Sequence, residues 1–164
     1  MAANPVLNLV PQIRSTLQMA DPAQFREFLI EKIREFERYA RELRVPPETI
    51  IGARYCLCTL LDESAAQTPW GGSGVWSRHS LLVTFHNETW GGEKFFQLLS
   101  KLAQNPQQYR DLLELMYYCI SLGLEGRFRV VDNGRAQLET LRQRLWTILR
   151  DLGVGSDDNL SPHW

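Results

Sequence analysis

Residues 56–96 read CLCTLLDESAAQTPWGGSGVWSRHSLLVTFHNETWGGEKFF, and the fold turns on them. The stretch holds three of the five Trp residues (Trp70, Trp76, Trp90), two of the three His, and two Trp-Gly-Gly triplets. It begins inside a helical pattern, breaks over 69–74, and restarts at Ser77. It breaks again at Gly91-Gly92 and restarts into Phe95-Phe96. Large rings beside glycines pack over tight backbone turns, because glycine permits close approach and positive φ. The stretch is therefore expected to be the centre of the fold, two helix ends and two helix starts pinned by aromatic anchors.

Upstream, Pro47 or Thr49 opens the helix that enters this stretch. Ile50, Ile51, Ala53, Tyr55, Leu57, Cys58, Leu60 and Leu61 make it apolar nearly all round, as a central helix buried on most sides would be. It is expected to end near Asp62-Glu63-Ser64. Two carboxylates there face the negative end of the helix dipole, at a cost of roughly 0.3–1 kcal/mol per charge, so some other interaction must retain them. Before it, Asp21-Pro22-Ala23-Gln24 is a start signal, with Asp as N-cap and Pro at the first helical position. The helix should run from Pro22 to Leu43, with Phe25, Phe28, Leu29, Ile33, Phe36, Ala40 and Leu43 as its stripe. Glu31/Arg34, Glu35/Arg38 and Glu37/Arg41 sit at pairing distance on the opposite face. Val6, Leu7, Val10, Ile13 and Leu17 give one short helix before that.

Downstream, Ser77 is the expected N-cap of a short helix carrying Leu81, Leu82 and Phe85. Phe95, Phe96, Leu98, Leu99 and Leu102 give the next helix. Pro106 opens a second strongly apolar one through Leu122, closed by Gly123 and Gly126. Phe128-Arg129-Val130-Val131 reads as extended loop. After Gly134, Leu138, Leu141, Leu145, Ile148, Leu149 and Leu152 form a final stripe. About seven helices and no convincing strand pair predict an all-α bundle of roughly two layers. Residues 1–155 are expected to form a single domain, and 156–164 (SDDNLSPHW) read as a polar tail.

The chain has 164 residues, enough for one domain with a real core. A net charge of -1 gives no global field toward nucleic acid or an acidic membrane surface. Three Cys (Cys56, Cys58, Cys119) fit no disulfide framework, and Cys56 and Cys58 diverge on a helix, so buried reduced thiols are expected. No signal peptide is visible, and no run approaches the roughly 18 apolar residues of a spanning helix, so the chain as given is expected to be soluble and cytoplasmic.

No enzymatic constellation assembles. His86-Asn87-Glu88 is not the helical pattern that sets two His on one face for zinc, and the Trp-Gly-Gly triplets lack the Lys and Ser/Thr of a phosphate loop. No catalytic residue, metal or cofactor is expected, and His86 reads as a helix-end residue bonded to backbone. Asp62-Glu63 beside the Trp70/Trp76 loop would form an acidic notch rimmed by aromatics, as at protein interfaces. The alternative is a lock between helix groups through Arg54, Arg78 or Arg127. Trp70, Trp76, Trp90, Phe95 and Phe96 are more often core than contact. Glu125-Gly126-Arg127 reads as a helix C-terminus with a left-handed Gly cap, Glu125 and Arg127 tying helices together.

Residues 54–63 (RYCLCTLLDE), 68–71 (TPWG), 80–96 (SLLVTFHNETWGGEKFF), 112–130 (LLELMYYCISLGLEGRFRV) and 134–150 (GRAQLETLRQRLWTILR) together resemble the cytoplasmic domain of the TssL family (DotU/IcmH-like) of type VI secretion systems. The resemblance covers about residues 20–152. It implies a hook of two helical bundles and a non-enzymatic scaffold. It also implies a single C-terminal anchor in the bacterial inner membrane, with this domain on the cytoplasmic side. The implied partners are an IcmF-like inner-membrane protein (TssM), a lipoprotein (TssJ) and the baseplate protein TssK, with a homodimer that is weak without the membrane helix. The Asp-Glu pair, here Asp62 and Glu63, would lie in a cleft between the bundles that faces partners. Trp90, Gly91, Gly92, Phe95, Phe96, Glu125, Gly126 and Arg127 match structural motifs. The tail after 155 stands where the membrane helix would begin, so the chain is expected to be truncated before it. A DotU-like stabilising component of type IVB secretion and a soluble helical adaptor are the alternative readings.

Overall fold

The computed structural model describes residues 2–72, 74, 76–88 and 92–153. Trp90, Gly91 and the tail from 156 lie outside them. Among the described residues there are eight α-helices and no strand: α1 (Asn4–Leu7), α2 (Val10–Ser15), α3 (Pro22–Glu42), α4 (Pro47–Ala66), α5 (Leu81–His86), α6 (Gly92–Leu102), α7 (Arg110–Ser121) and α8 (Gly134–Asp151). Two 3-10 turns, Ser77–His79 and Gly126–Arg129, precede α5 and α8.

Helix α4 is the shared wall. It packs against α2, α3, α5, α6 and α7, while α8 packs on α7. Its residues from Cys56 to Leu61 are all buried, which is why the apolar pattern wraps the whole helix. The all-α fold in two packed bundles agrees with the sequence reading. Cys56, Cys58 and Cys119 are free thiols in this core, and burial pushes each thiol up.

Helix α3 starts where its cap signal stands. The Asp21 side chain accepts from the Gln24 amide at 3.1 Å, and Leu29, Ile33, Phe36 and Ala40 are buried. Glu31–Arg34 and Glu37–Arg41 pair as expected, but Glu35 pairs with Lys32 at 3.4 Å.

Several sequence boundaries move. The first stripe divides into α1 and α2 around Asn8 and Leu9, and Leu17 is 72% exposed beyond α2. Helix α4 continues one turn past Asp62. Ser80, not Ser77, caps α5, because a 3-10 turn occupies 77–79. Of the expected extended loop at 128–131, Phe128 and Arg129 belong instead to a 3-10 turn, Gly126–Arg129, and Val130 and Val131 follow it outside any helix. Gly134 starts α8 instead of preceding it, with its Cα against the Phe128 carbonyl. A Cβ there would overlap that oxygen, so the position requires glycine.

Candidate docking cleft

Asp62 and Glu63 are adjacent on α4, yet their side chains serve opposite halves of the molecule. Asp62 turns toward α5. Its Oδ1 accepts from the Trp76 indole Nε1–H at 2.9 Å and from the Leu81 amide at 2.8 Å, and its Oδ2 accepts from the Leu82 amide at 3.0 Å. Ser80 Oγ accepts from the Val83 amide at 3.2 Å. The first three amides of α5 are thus all satisfied by side chains, which a six-residue helix needs.

Glu63 turns the other way. Its two carboxylate oxygens accept from the Glu125 and Gly126 amides, each at 2.8 Å. Those amides open the second 3-10 turn, where Gly126 has φ of 52°. The excess negative charge at the end of α4 is therefore placed against the positive ends of two other elements, which offsets the unfavourable dipole.

Burial pushes the Asp62 carboxyl up to about 6, against the lowering effect of its three donors. Burial also raises Glu63, opposed by the two amides and by Arg14. The lock thus runs through backbone amides, and Arg54, Arg78 and Arg127 are not its partners. Arg54 instead joins three helices. It reaches Glu37 on α3 at 3.4 Å, and donates to His86 Nε2 at 3.2 Å and to the Phe85 carbonyl at 3.3 Å. His86 is half-buried, and burial together with the Arg54 charge lowers its pKa, opposed by Glu88.

Between the two halves opens a cavity of about 520 Å³. Asp62 and Glu63 line it from α4 and Trp76 from the loop that follows, Leu82 and Glu93 form another wall, and Gly126, Arg127, Arg129, Val130 and Val131 form most of the rest. Trp76 is buried at the edge of the Asp62 cap, and Trp70 stacks edge-on against it at 5.7 Å. Trp70 is half-buried against Phe25, and its Nε1–H donates to the Thr16 carbonyl at 3.0 Å. Asp62, Glu63 and Trp76 are thus brought to one cavity, with Trp70 behind it.

Phe95 and Phe96 are buried and in mutual contact at 5.0 Å, and Gly92 starts their helix. Phe96 meets Phe128 edge-on at 4.9 Å, and the Arg127 guanidinium lies 5.7 Å from the Phe96 ring and 5.0 Å from the Phe128 ring. The expected tie between Glu125 and Arg127 is not made. Glu125 contributes its backbone amide to Glu63, while Arg127 lies over the rings.

Sequence reasoning missed Arg129, Val130 and Val131 as wall residues. Val130 is 88% and Val131 44% exposed on the cavity rim. Their one signal is an apolar doublet that belongs to no helical stripe. Arg14, which donates from Nη1 to Gln67 Oε1 at 2.7 Å, carried no signal at all. Among the described residues no group of three or more His, Cys, Asp and Glu is placed to hold a metal ion.

A family model described as "Type VI secretion system protein DotU" matches residues 1–164. The structure is similar to that of TssL from Vibrio cholerae, with a TM-score of 0.83 and 39% identity, covering 92% of this chain and 94% of that one. It is also similar to the cytoplasmic domain of TssL from Acinetobacter baumannii, with a TM-score of 0.82 and 26% identity, covering 92% of this chain and 96% of that one. No curated protein sequence matches the chain.

Proposed function

The chain belongs to the DotU family of type VI secretion proteins, and from that premise we propose that it is a non-enzymatic scaffold of the secretion machine's membrane complex. Its partners are other secretion-system proteins. The finer reading is that this domain stands on the cytoplasmic side of the inner membrane and docks an IcmF-like TssM protein and the baseplate protein TssK. A C-terminal membrane helix would anchor it, and any homodimer would depend largely on that helix. Among the described residues no helix is long and apolar enough to cross a membrane.

The observation that carries the reading is the cleft. It lies between two helical groups whose separation is held by Asp62 and Glu63, and it offers exposed apolar surface at Val130 and Val131. In this reading Asp62 and Glu63 shape the docking surface and Trp76 floors it, while Trp70 supports Trp76. A preformed cleft limits the ordering cost of docking.

The test is in-cell photocrosslinking in a bacterium with an intact type VI system. The probe is a photoreactive amino acid at position 130 or 131 of the full-length protein. Crosslinks to TssK or to the IcmF-like protein are expected. Crosslinks to neither, from a protein that supports secretion, overturn the assignment of the cleft as the docking surface.

A further inference from the structure

We propose that the cleft takes an acidic segment of a partner protein that also carries apolar side chains. This rests on the docking reading above and reverses the charge that the Asp62-Glu63 pair suggests. Both carboxylates are already engaged: Asp62 holds three donors and Glu63 two, all within 3.0 Å. Their charge faces the amino ends of α5 and the second 3-10 turn.

The free charge at the mouth is positive. Arg127 and Arg129 make no ion pair and donate no hydrogen bond among the described residues, although both line the cavity. By contrast Arg54 is tied to Glu37, and Arg142 to Glu139. The contacts that hold Arg127 are the Phe96 and Phe128 rings, 5.7 and 5.0 Å from its guanidinium carbon, and they leave its N–H groups unused. A planar guanidinium with open donors is suited to bind a carboxylate in bidentate fashion. Three acids line the cavity, but Asp62 is buried and Glu63 half-buried against amide donors, so at the exposed mouth Arg127 and Arg129 face Glu93 alone.

Beside the arginines, Val130 and Val131 are exposed and Leu82 and Trp76 form the floor. Such a wall recognises apolar side chains that alternate with acidic ones. The cavity volume of about 520 Å³ falls within the roughly 300–1,000 Å³ of ligand clefts, room for a few side chains of a peptide and not for a whole helix.

The experiment pans a random peptide library of about twelve residues on the immobilised chain, then measures the enriched peptides by fluorescence anisotropy. Enriched peptides are expected to combine Asp or Glu with large apolar residues. Affinity should fall about tenfold or more in R127Q/R129Q and weaken with added salt, as exposed charge pairing does. A second variant, V130S/V131S, should weaken binding without changing its salt dependence. Circular dichroism and urea midpoints verify that both variants fold.

Basic or neutral enriched peptides overturn the proposal. So does the absence of enrichment, or binding to R127Q/R129Q as tight as to the wild type. A concentration-dependent dimer abolished by V130S/V131S would overturn it in favour of a second copy in the cleft. Failure here is separable from failure of the docking reading, because crosslinks from position 130 to secretion partners would persist.

Discussion

Asp62 holds three donors on one buried carboxylate, and removing it exposes all of them at once. Leaving a buried donor unsatisfied costs about 1–3 kcal/mol, less where water from the cleft can reach it. Asp62→Ala is therefore expected to lower unfolding stability by about 3 kcal/mol at neutral pH, measured by urea denaturation. Glu139→Ala, which breaks a surface pair with Arg142, should leave the midpoint where it was. The same carboxyl sets a pH dependence. Unfolded, it titrates at its ordinary 3.8; folded, near 6. Between those values the folded state holds the extra proton, so this group's contribution is fully present below about pH 4 and is lost as pH rises through 6. The full shift is worth about 3 kcal/mol at most. The stability difference between wild type and Asp62→Ala should widen as pH falls from 7 to 4, Glu63 being common to both. Widening in the opposite direction would mean that the three donors outweigh burial.

At the scale of elements, α5 shows what a short helix requires. Six residues cannot hold themselves helical in water, so the caps decide whether α5 exists. Ser80→Ala is expected to cost about 1 kcal/mol and to raise amide exchange at Val83, with α3 and α7 unchanged. The sequence shows the need for this cap but misplaces it. Ser77 and Ser80 are equivalent as letters, and only the 3-10 turn at 77–79 selects the second. Long elements were legible, because twenty residues of periodic pattern average out local ambiguity. The Asp21 cap and the Pro22 start of α3 stand where they were read. Asp62 and Glu63 were legible as an anomaly, two acids near the wrong end of a helix. Their partners were not, because those amides lie about 20 residues away for Asp62 and over 60 for Glu63, and amides carry no sequence signal. Val130 and Val131 are loop residues, as the sequence indicates, but their place on the cleft wall is not legible for a related reason. A 3-10 turn is too short to show a period, so it cannot reveal which way the next residues face.

For the whole molecule, the adjacent acids make α4 a hinge pin with two separate catches. Asp62 fastens the group that contains α5, and Glu63 fastens the turn that leads into α8. If the catches act independently, each should be removable alone. Glu63→Ala is expected to raise amide exchange at 125–131 while α5 keeps its protection, and Asp62→Ala should do the converse. Leu57→Ala is the contrasting case. Leu57 is fully buried near the middle of α4, and truncation there should cost about 2–5 kcal/mol and raise exchange on both sides together. The cleft lies between the two catches, so its width depends on both. A Glu63→Ala protein that also loses protection in α5 would show that the two groups open as one cooperative unit. The cleft could not then widen without global unfolding. Local exchange confined to 125–131 would instead make the Arg127–Val131 wall the part that adjusts to a partner, with α4 as the fixed side.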